Sequence, residues 1–121
     1  MEAELVASGR FVRIETRGAR SGEARTVTVG YADDDLPGTA TPGAILVAAG
    51  GPDTAWAANL LADPRCRVRV GERIFDAVAE PLDPADHGRA IRSLILRYGT
   101  PAEGLGHGTS FRLRPVDGDR S

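Results

Sequence analysis

The sequence contains no lysine, and all 15 of its basic residues are arginine. A site that binds an anion must therefore use guanidinium groups or backbone N–H groups. The formal net charge of −2 does not provide the broad positive field that nucleic acids attract, so we expect no nucleic-acid partner. No run reaches the ~18 apolar residues of a membrane helix, and the acidic start does not resemble a signal peptide. We therefore expect no membrane insertion and a cytoplasmic location.

Cysteine and histidine are also scarce. The one cysteine, Cys66, excludes an internal disulfide and a site with several thiolate ligands. Because Cys66 alternates with charged residues in "RCRVRV", we expect it to be a buried, small apolar residue. The two histidines, His87 and His107, are too few and too far apart to indicate a metal centre, so no metal site is predicted.

The chain is long enough to bury a small core: 41% of its 121 residues are hydrophobic. This length predicts one domain over residues 1–121, with flexible tails at 1–9 and 117–121. Residues 11–17 alternate between apolar and charged side chains, and 24–32 alternate again after the turn "GARSGE". Two alternating runs around a glycine-rich turn predict a β-hairpin. Gly30, inside the second run, predicts a bend.

The remaining patterns add four strands and two helices. The predicted strands cover 44–50, 65–70, 73–82 and 109–116, and the predicted helices cover 54–62 and 84–98. In the longer helix, Ile91, Leu94, Ile95 and Tyr98 have the spacing of a buried stripe. Short antiparallel connections join most of the strands. The sequence therefore predicts a mainly β fold, a small antiparallel barrel with two helices packed at its edges or mouth.

No conventional catalytic set is visible in the sequence. Ser21, Ser93 and Ser110 have no histidine and acid close to them in the chain, and no nucleophile elbow is present. Walker and dinucleotide-binding fingerprints are also missing. No side chain stands out as an acid, a base or a nucleophile, so we predict no catalytic protein residue. If the protein is an enzyme, a bound cofactor is expected to supply the chemistry.

Two stretches could contact an anion. The turn "GARSGEAR" carries Arg20, Ser21 and Arg25, and it fits either an ordinary hairpin with solvated arginines or a phosphate cradle. In "AAGGPDTAWAANLL", Gly50 and Gly51 permit close approach of the backbone to a ligand, just before a helix N-terminus. The alternative for this second stretch is a plain strand-to-helix loop, in which the tryptophan anchors the core.

The same stretches resemble a known family. "TRGARSGEARTVTVGY", followed by "ILVAAGG", "AWAANLLADPRCRVRVG" and "FDAVAEPL", is similar to the deazaflavin-dependent nitroreductases, and the similarity runs from about residue 11 to residue 82. The resemblance implies a split β-barrel of the kind that binds FMN-like cofactors. It also implies that coenzyme F420 supplies a hydride to a small-molecule acceptor, such as a quinone or a nitroaromatic compound.

The resemblance further implies roles for individual residues. It assigns the phosphate-bearing tail of the coenzyme to residues of the turn: Arg20, Ser21, Gly22 and Arg25. It assigns a second group to positions along the coenzyme, near its ring: Ala49, Gly50 and Gly51. Trp56 and Asn59 would support the wall of the pocket, and Tyr98 would contact the substrate. An open-edged split barrel is also compatible with a homodimer.

Other functions stay open at this stage. Alanines stand at positions 48, 49 and 57, where family members often carry larger or polar side chains, so a non-catalytic binder of a flavin (FMN or FAD), haem or lipid-like ligand is an alternative. A third candidate is a module that binds nucleic acid or another acidic partner through the arginines at 65, 67, 69 and 73. Asp76 and Glu80 could lie opposite these arginines, so we expect a solvated, partly paired surface instead.

Overall fold

Seven strands and two helices make up the part of the chain that the structure describes. This computed structural model describes residues 11–18, 21–34, 43–50, 54–99 and 108–116. The predicted tails, 1–9 and 117–121, lie outside these residues. The strands are β1 (Val12–Arg17), β2 (Ala24–Val29), β3 (Ala32–Asp33), β4 (Ile45–Ala49), β5 (Arg65–Val70), β6 (Arg73–Pro81) and β7 (Thr109–Pro115). The helices are α1 (Ala55–Ala62) and α2 (Pro84–Tyr98).

The seven strands form one antiparallel sheet in the order β2-β1-β5-β6-β7-β4-β3. The strands at its two ends, β2 and β3, follow each other in the chain with only Gly30 and Tyr31 between them. Consecutive Cα atoms are 3.8 Å apart, so the two edges of the sheet lie within about 11 Å of each other at this point. The sheet therefore curls into a split barrel, which confirms the predicted fold class. The two-residue β3 was not predicted, because the bend at Gly30 divides what reads as one strand.

The side chains that were predicted to point inward from the strands form the interior of the barrel. Val12, Ile14 and Thr16 of β1 are all buried, whereas Glu15 and Arg17 are exposed. Cys66 is buried together with Val68 and Val70, and the arginines between them are exposed. This alternation is typical of strands with one face on the core and one face in water.

β4 does not alternate, because both of its faces are covered. Val47 and Ala49 belong to the core inside the barrel. Leu46 and Ala48 point the other way and pack against residues of α2. A strand that is buried on both faces appears in the sequence as a continuous apolar run, as "AILVAA" does.

α2 packs against β3, β4 and β7 through the predicted apolar stripe. The helix begins after Asp83, whose carboxylate accepts a 2.8 Å hydrogen bond from the backbone N–H of Asp86. This is the predicted N-cap, and it satisfies a backbone donor that the helix itself leaves without a partner. Ile91 and Leu94 are buried, and Ile95 and Tyr98 are partly buried.

The last residue of α2 holds the bend that joins the two sheet edges. The hydroxyl of Tyr98 accepts a 3.0 Å hydrogen bond from the backbone N–H of Tyr31 and donates a 3.2 Å bond to the carbonyl of the same residue. The ring of Tyr98 lies so close to Gly30 that a Cβ there would come within 2.9 Å of it. The guanidinium of Arg97 covers the ring of Tyr31 at 4.5 Å from its centroid.

α1 packs against β1 and β2, at the end of the barrel where the hairpin turn lies. It begins after Thr54, whose side chain makes no capping hydrogen bond; the other predicted cap, Asp53, lies outside the described residues. Trp56, Asn59 and Leu60 are buried on the barrel side of the helix. Neither helix in the described ranges has the length and apolar character that crossing a bilayer requires.

A buried ion pair ties Asp34, the residue after β3, to β7, which lies two strands away in the sheet. The carboxylate of Asp34 is fully buried, and it accepts a 2.7 Å hydrogen bond from Nε of Arg112, whose side chain is 11% exposed. Arg112 lies on β7 opposite Leu46 of β4, so this contact spans three strands. Because a buried charge is costly without its partner, the pair strongly constrains how β3 is placed.

We predict that Arg112→Met lowers the free energy of unfolding by about 3–5 kcal/mol, because it leaves the buried Asp34 carboxylate without its guanidinium. Urea denaturation followed by circular dichroism measures this change. The matched control is Glu80→Gln, at the half-exposed pair between Glu80 and Arg114, which should cost less than about 1 kcal/mol. Equal losses in the two variants would contradict the assigned role of the buried pair.

Candidate functional site

The turn between β1 and β2 is closed by its own hydrogen bonds. The N–H of Gly18 donates to the carbonyl of Glu23 at 2.8 Å, and the N–H of Gly22 donates to the carbonyl of Gly18 at 2.9 Å. The N–H of Glu23 donates to Oγ of Ser21 at 3.2 Å. These three backbone donors of the described turn residues are therefore used inside the turn. Gly22 has a φ of +71°, a conformation that favours glycine.

Arg25 stands at the entrance to the barrel end. It lies directly opposite Thr16 in the β1–β2 register, and side chains paired in this way lie on the same face of a sheet. Because Thr16 points inward, Arg25 starts from the inward face and extends to the rim. Its side chain is 61% exposed and pairs with Glu23 at 3.4 Å. An exposed pair of this kind is weak, so an anionic ligand could replace Glu23.

α1 supplies the opposite wall of the site. Trp56 and Asn59 are three positions apart and therefore lie on one side of the helix. The indole packs against the ring of Phe111, with the centroids 6.1 Å apart. Nδ2 of Asn59 donates a 3.1 Å hydrogen bond to Oγ1 of Thr16, which joins α1 to β1.

A cavity of about 500 Å³ lies between the hairpin and α1. Its described lining residues are Thr16, Gly18, Ser21, Arg25, Thr26, Val27, Ala55, Trp56 and Asn59. Four predicted site residues thus meet at one place, although the turn and the helix are distant in sequence: Ser21, Arg25, Trp56 and Asn59. Gly22 borders the neighbouring groove. Arg20 and Gly51 lie outside the described residues.

The other predicted site residues do not line this cavity. Ala49 is buried in β4 opposite Thr109, and Gly50 follows it as an exposed residue. The hydroxyl of Tyr98 is engaged with the backbone of Tyr31 at the barrel bend. The assignment of Tyr98 to a substrate pocket stays a prediction, as do the assignments of Ala49 and Gly50 to the coenzyme.

A larger groove, of about 850 Å³, lies on the other side of the same turn. It contains Arg17, Arg67 and Cys66, together with Asp63 and its partner Arg65. The side chain of Arg65 donates two 3.1 Å bonds to the carboxylate of Asp63. These bonds hold the pKa of Asp63 below its usual value. Burial, with Asp76 and Asp63 nearby, raises the pKa of the Cys66 thiol to about 12, so the thiol stays protonated.

The cavity between the hairpin and α1 has binding groups but no obvious acid–base group. None of its described lining residues carries a carboxyl, imidazole or thiol group. In the described ranges, no three histidine, cysteine, aspartate or glutamate residues are grouped as metal ligands would be. This arrangement can bind and orient a molecule, and a reaction there needs a reactive group that the bound molecule brings.

Several lining residues of the cavity were not predicted from the sequence, and Thr16 is the most informative of them. The alternation of β1 places Thr16 on the inward face, so its burial could be predicted. Its partner could not, because the bond to Asn59 joins positions 43 residues apart. Thr26, Val27 and Ala55 line the cavity because α1 packs on the hairpin, and no local sequence pattern predicts that contact.

A family model described as F420H(2)-dependent quinone reductase matches residues 5–102 of the chain. This range includes the hairpin turn, α1 and the arginine-rich strand β5. A search of curated proteins returned no match.

Several solved structures share the fold. A structure described as an F420-H2 dependent reductase (FDR-A) has a TM-score of 0.69 and 22% identity, over 87% of this chain and 94% of that one. HutZ from Vibrio cholerae, described as a haem storage protein, has a TM-score of 0.69 and 17% identity, over 95% and 87%. A third, described as a domain-swapped dimer, has a TM-score of 0.67 and 19% identity, over 93% and 92%. At these identities the likeness establishes the split-barrel fold.

We predict that Cys66 is unreactive in the folded protein. With a pKa of about 12, the thiolate fraction at pH 8 is on the order of one in ten thousand. An aromatic disulfide reagent at pH 8 should therefore react at least about 100-fold faster with the urea-unfolded chain than with the native chain. Equal rates in the two states would show that the Cys66 side chain is neither buried nor shifted in pKa.

Proposed function

We infer the function from the family: the chain belongs to the F420H2-dependent quinone reductase family, so it is an F420-dependent oxidoreductase. We propose that it reduces a quinone, a nitroaromatic compound or a similar acceptor. We also propose that the coenzyme is held between the hairpin and α1. The observation that carries this proposal is the meeting of Ser21 and Arg25 with Trp56 and Asn59 around one cavity. Residues that the resemblance assigns to the phosphate and to the pocket wall therefore share one space.

The cavity fits such a ligand in size and chemistry. Its volume of about 500 Å³ lies within the roughly 300–1,000 Å³ that is typical of small-molecule sites. Its lining includes the guanidinium of Arg25 and the hydroxyl of Ser21, which suit a phosphate. It also includes Val27, Ala55 and Trp56, which suit a flat, largely apolar ring system. When bound, the deazaflavin ring supplies a hydride at its C5 position.

The residues of the chain would then bind, orient and exclude water. Arg25 would exchange its weak contact with Glu23 for the phosphate of the coenzyme. Oγ of Ser21 accepts a bond from the N–H of Glu23, and its O–H would donate to an oxygen of the ligand. Trp56 would shield the ring from water. Such positioning is what hydride transfer requires from a protein.

We also propose roles for predicted site residues that are not among the described lining residues of the cavity. We propose that Arg20 and Gly51 add contacts to the phosphate and to the coenzyme, respectively, and that Ala49 and Gly50 lie along it. Tyr98 is proposed as a contact of the acceptor. We also propose a homodimer, which the solved structure described as a domain-swapped dimer supports, and a cytoplasmic setting.

A non-catalytic haem or flavin binder is the competing function. Haem needs an axial ligand, and none of the described lining residues of the cavity offers an imidazole or a thiolate. The described histidine, His87, lies on α2 with its Nδ1 2.7 Å from Oγ of Ser110. The thiol of Cys66 stays protonated. These observations favour the deazaflavin over haem.

Parallel titrations of the purified protein with reduced F420, FMN, FAD and haem test the proposal. We expect micromolar binding of reduced F420 and oxidation of that coenzyme when menadione is added. Retention of FMN, FAD or haem without any binding of F420 would replace the proposal with the competing function.

We predict that Arg25→Ala weakens binding of the coenzyme by about 1–3 kcal/mol, because it removes a charge-assisted hydrogen bond to phosphate. Its thermal midpoint should change little, since Arg25 is exposed. Arg69→Ala is the matched control, because Arg69 is also exposed but lines neither cavity. Similar losses of coenzyme affinity in the two variants would show that the net charge of the protein matters, and not a specific contact of Arg25 with the coenzyme.

We predict that Glu23→Gln strengthens coenzyme binding by up to about 1 kcal/mol. The substitution removes the carboxylate that competes with phosphate for Arg25. A titration at low ionic strength gives the largest effect, because salt screens exposed charges. The gain in affinity should disappear when Arg25→Ala is combined with Glu23→Gln. A gain that persists in the double variant would show that Glu23 does not act through Arg25.

A further inference from the structure

Thr16 is an unusual residue in the wall of the cavity. Its neighbours on the inward face of β1, Val12 and Ile14, are apolar, yet Thr16 is just as buried, with 1% of its surface exposed. A buried hydroxyl normally has a hydrogen-bond partner. The partner here is the carboxamide of Asn59, with a 3.1 Å distance between Nδ2 and Oγ1.

This hydrogen bond fixes the carboxamide of Asn59. The terminal torsion of an asparagine side chain is broad when nothing restrains it. Because Nδ2 is held by Thr16, the plane of the carboxamide has a set orientation beside Trp56 and Ala55. Asn59 is 8% exposed and lines the cavity, so this orientation is presented to whatever the cavity contains.

We propose that Thr16 is a positioning residue, which acts on the coenzyme through Asn59 by holding its carboxamide in the orientation that the bound ligand needs. A side chain that is already ordered loses less conformational freedom on binding, and its hydrogen bonds are correctly directed in advance. The inference rests on the proposed function, because it takes the coenzyme as the ligand of this cavity.

Thr16→Val and Thr16→Ser separate this role from simple packing. Valine has nearly the shape of threonine but offers no acceptor to Asn59, whereas serine keeps the hydroxyl. We expect Thr16→Val to weaken coenzyme binding about five- to tenfold, and Thr16→Ser to stay within about twofold. Thr28→Val is the control, since Thr28 lies on the same hairpin but lines neither cavity.

A double-mutant cycle with Asn59→Ala shows whether Thr16 acts through Asn59. If it does, Thr16→Val has almost no further effect on coenzyme affinity once Asn59 is alanine. A purely structural role predicts the same loss in both backgrounds, and that result would overturn the inference. If Thr16→Val does not fold, Thr16→Ala takes its place in the same cycle.

The side-chain amide protons of Asn59 provide a readout without ligand. In ¹⁵N-labelled protein they should exchange slowly with solvent in the wild type and in Thr16→Ser, and several-fold faster in Thr16→Val. Unchanged exchange in Thr16→Val would overturn the inference while leaving the proposed function in place. Failure of the wild type to bind F420 would overturn both, so the two failures are distinguishable.

Discussion

The two edges of the sheet are joined by a connection of only two residues, Gly30 and Tyr31, and this short link constrains the whole molecule. Because β2 and β3 cannot separate by more than about 11 Å at that point, the seven strands must curl. The hydroxyl of Tyr98 bonds to both backbone groups of Tyr31, so α2 holds the link from outside. On the other side of the link, the ion pair between Asp34 and Arg112 fixes β3 relative to β7. Closure of the barrel thus depends on a few polar contacts around a tight bend.

The candidate site is a consequence of this closure. A curled sheet leaves an open end, and α1 covers it by packing on β1 and β2. The hairpin turn stands at the rim of that end, so its polar side chains meet the buried face of α1. Trp56 belongs to the core and to the cavity at once, because its indole packs on Phe111 and also lines the cavity. A change at this side chain is therefore expected to affect both the core and the cavity wall.

Much of the fold could be predicted from the sequence, because alternation and helical periodicity record which faces are buried. β5, with its arginines outside and Cys66 inside, and α2, with Asp83 as its cap, are confirmed in detail. Long-range polar contacts could not be predicted. The bonds from Tyr98 to Tyr31 and from Thr16 to Asn59 join distant positions, and no local pattern specifies them. The hydrogen bonds inside the hairpin turn could not be predicted either.

In the proposed function, coenzyme F420 lies between the hairpin and α1, against Trp56. The chain has a single tryptophan, so its indole N–H gives one unambiguous NMR signal. Titration of ¹⁵N-labelled protein with F420 should shift this signal and the side-chain amide of Asn59 together, with saturation at micromolar concentration. Shifts confined to Cys66 and Arg67 in the neighbouring groove, with the indole signal unchanged, would contradict this placement of the coenzyme.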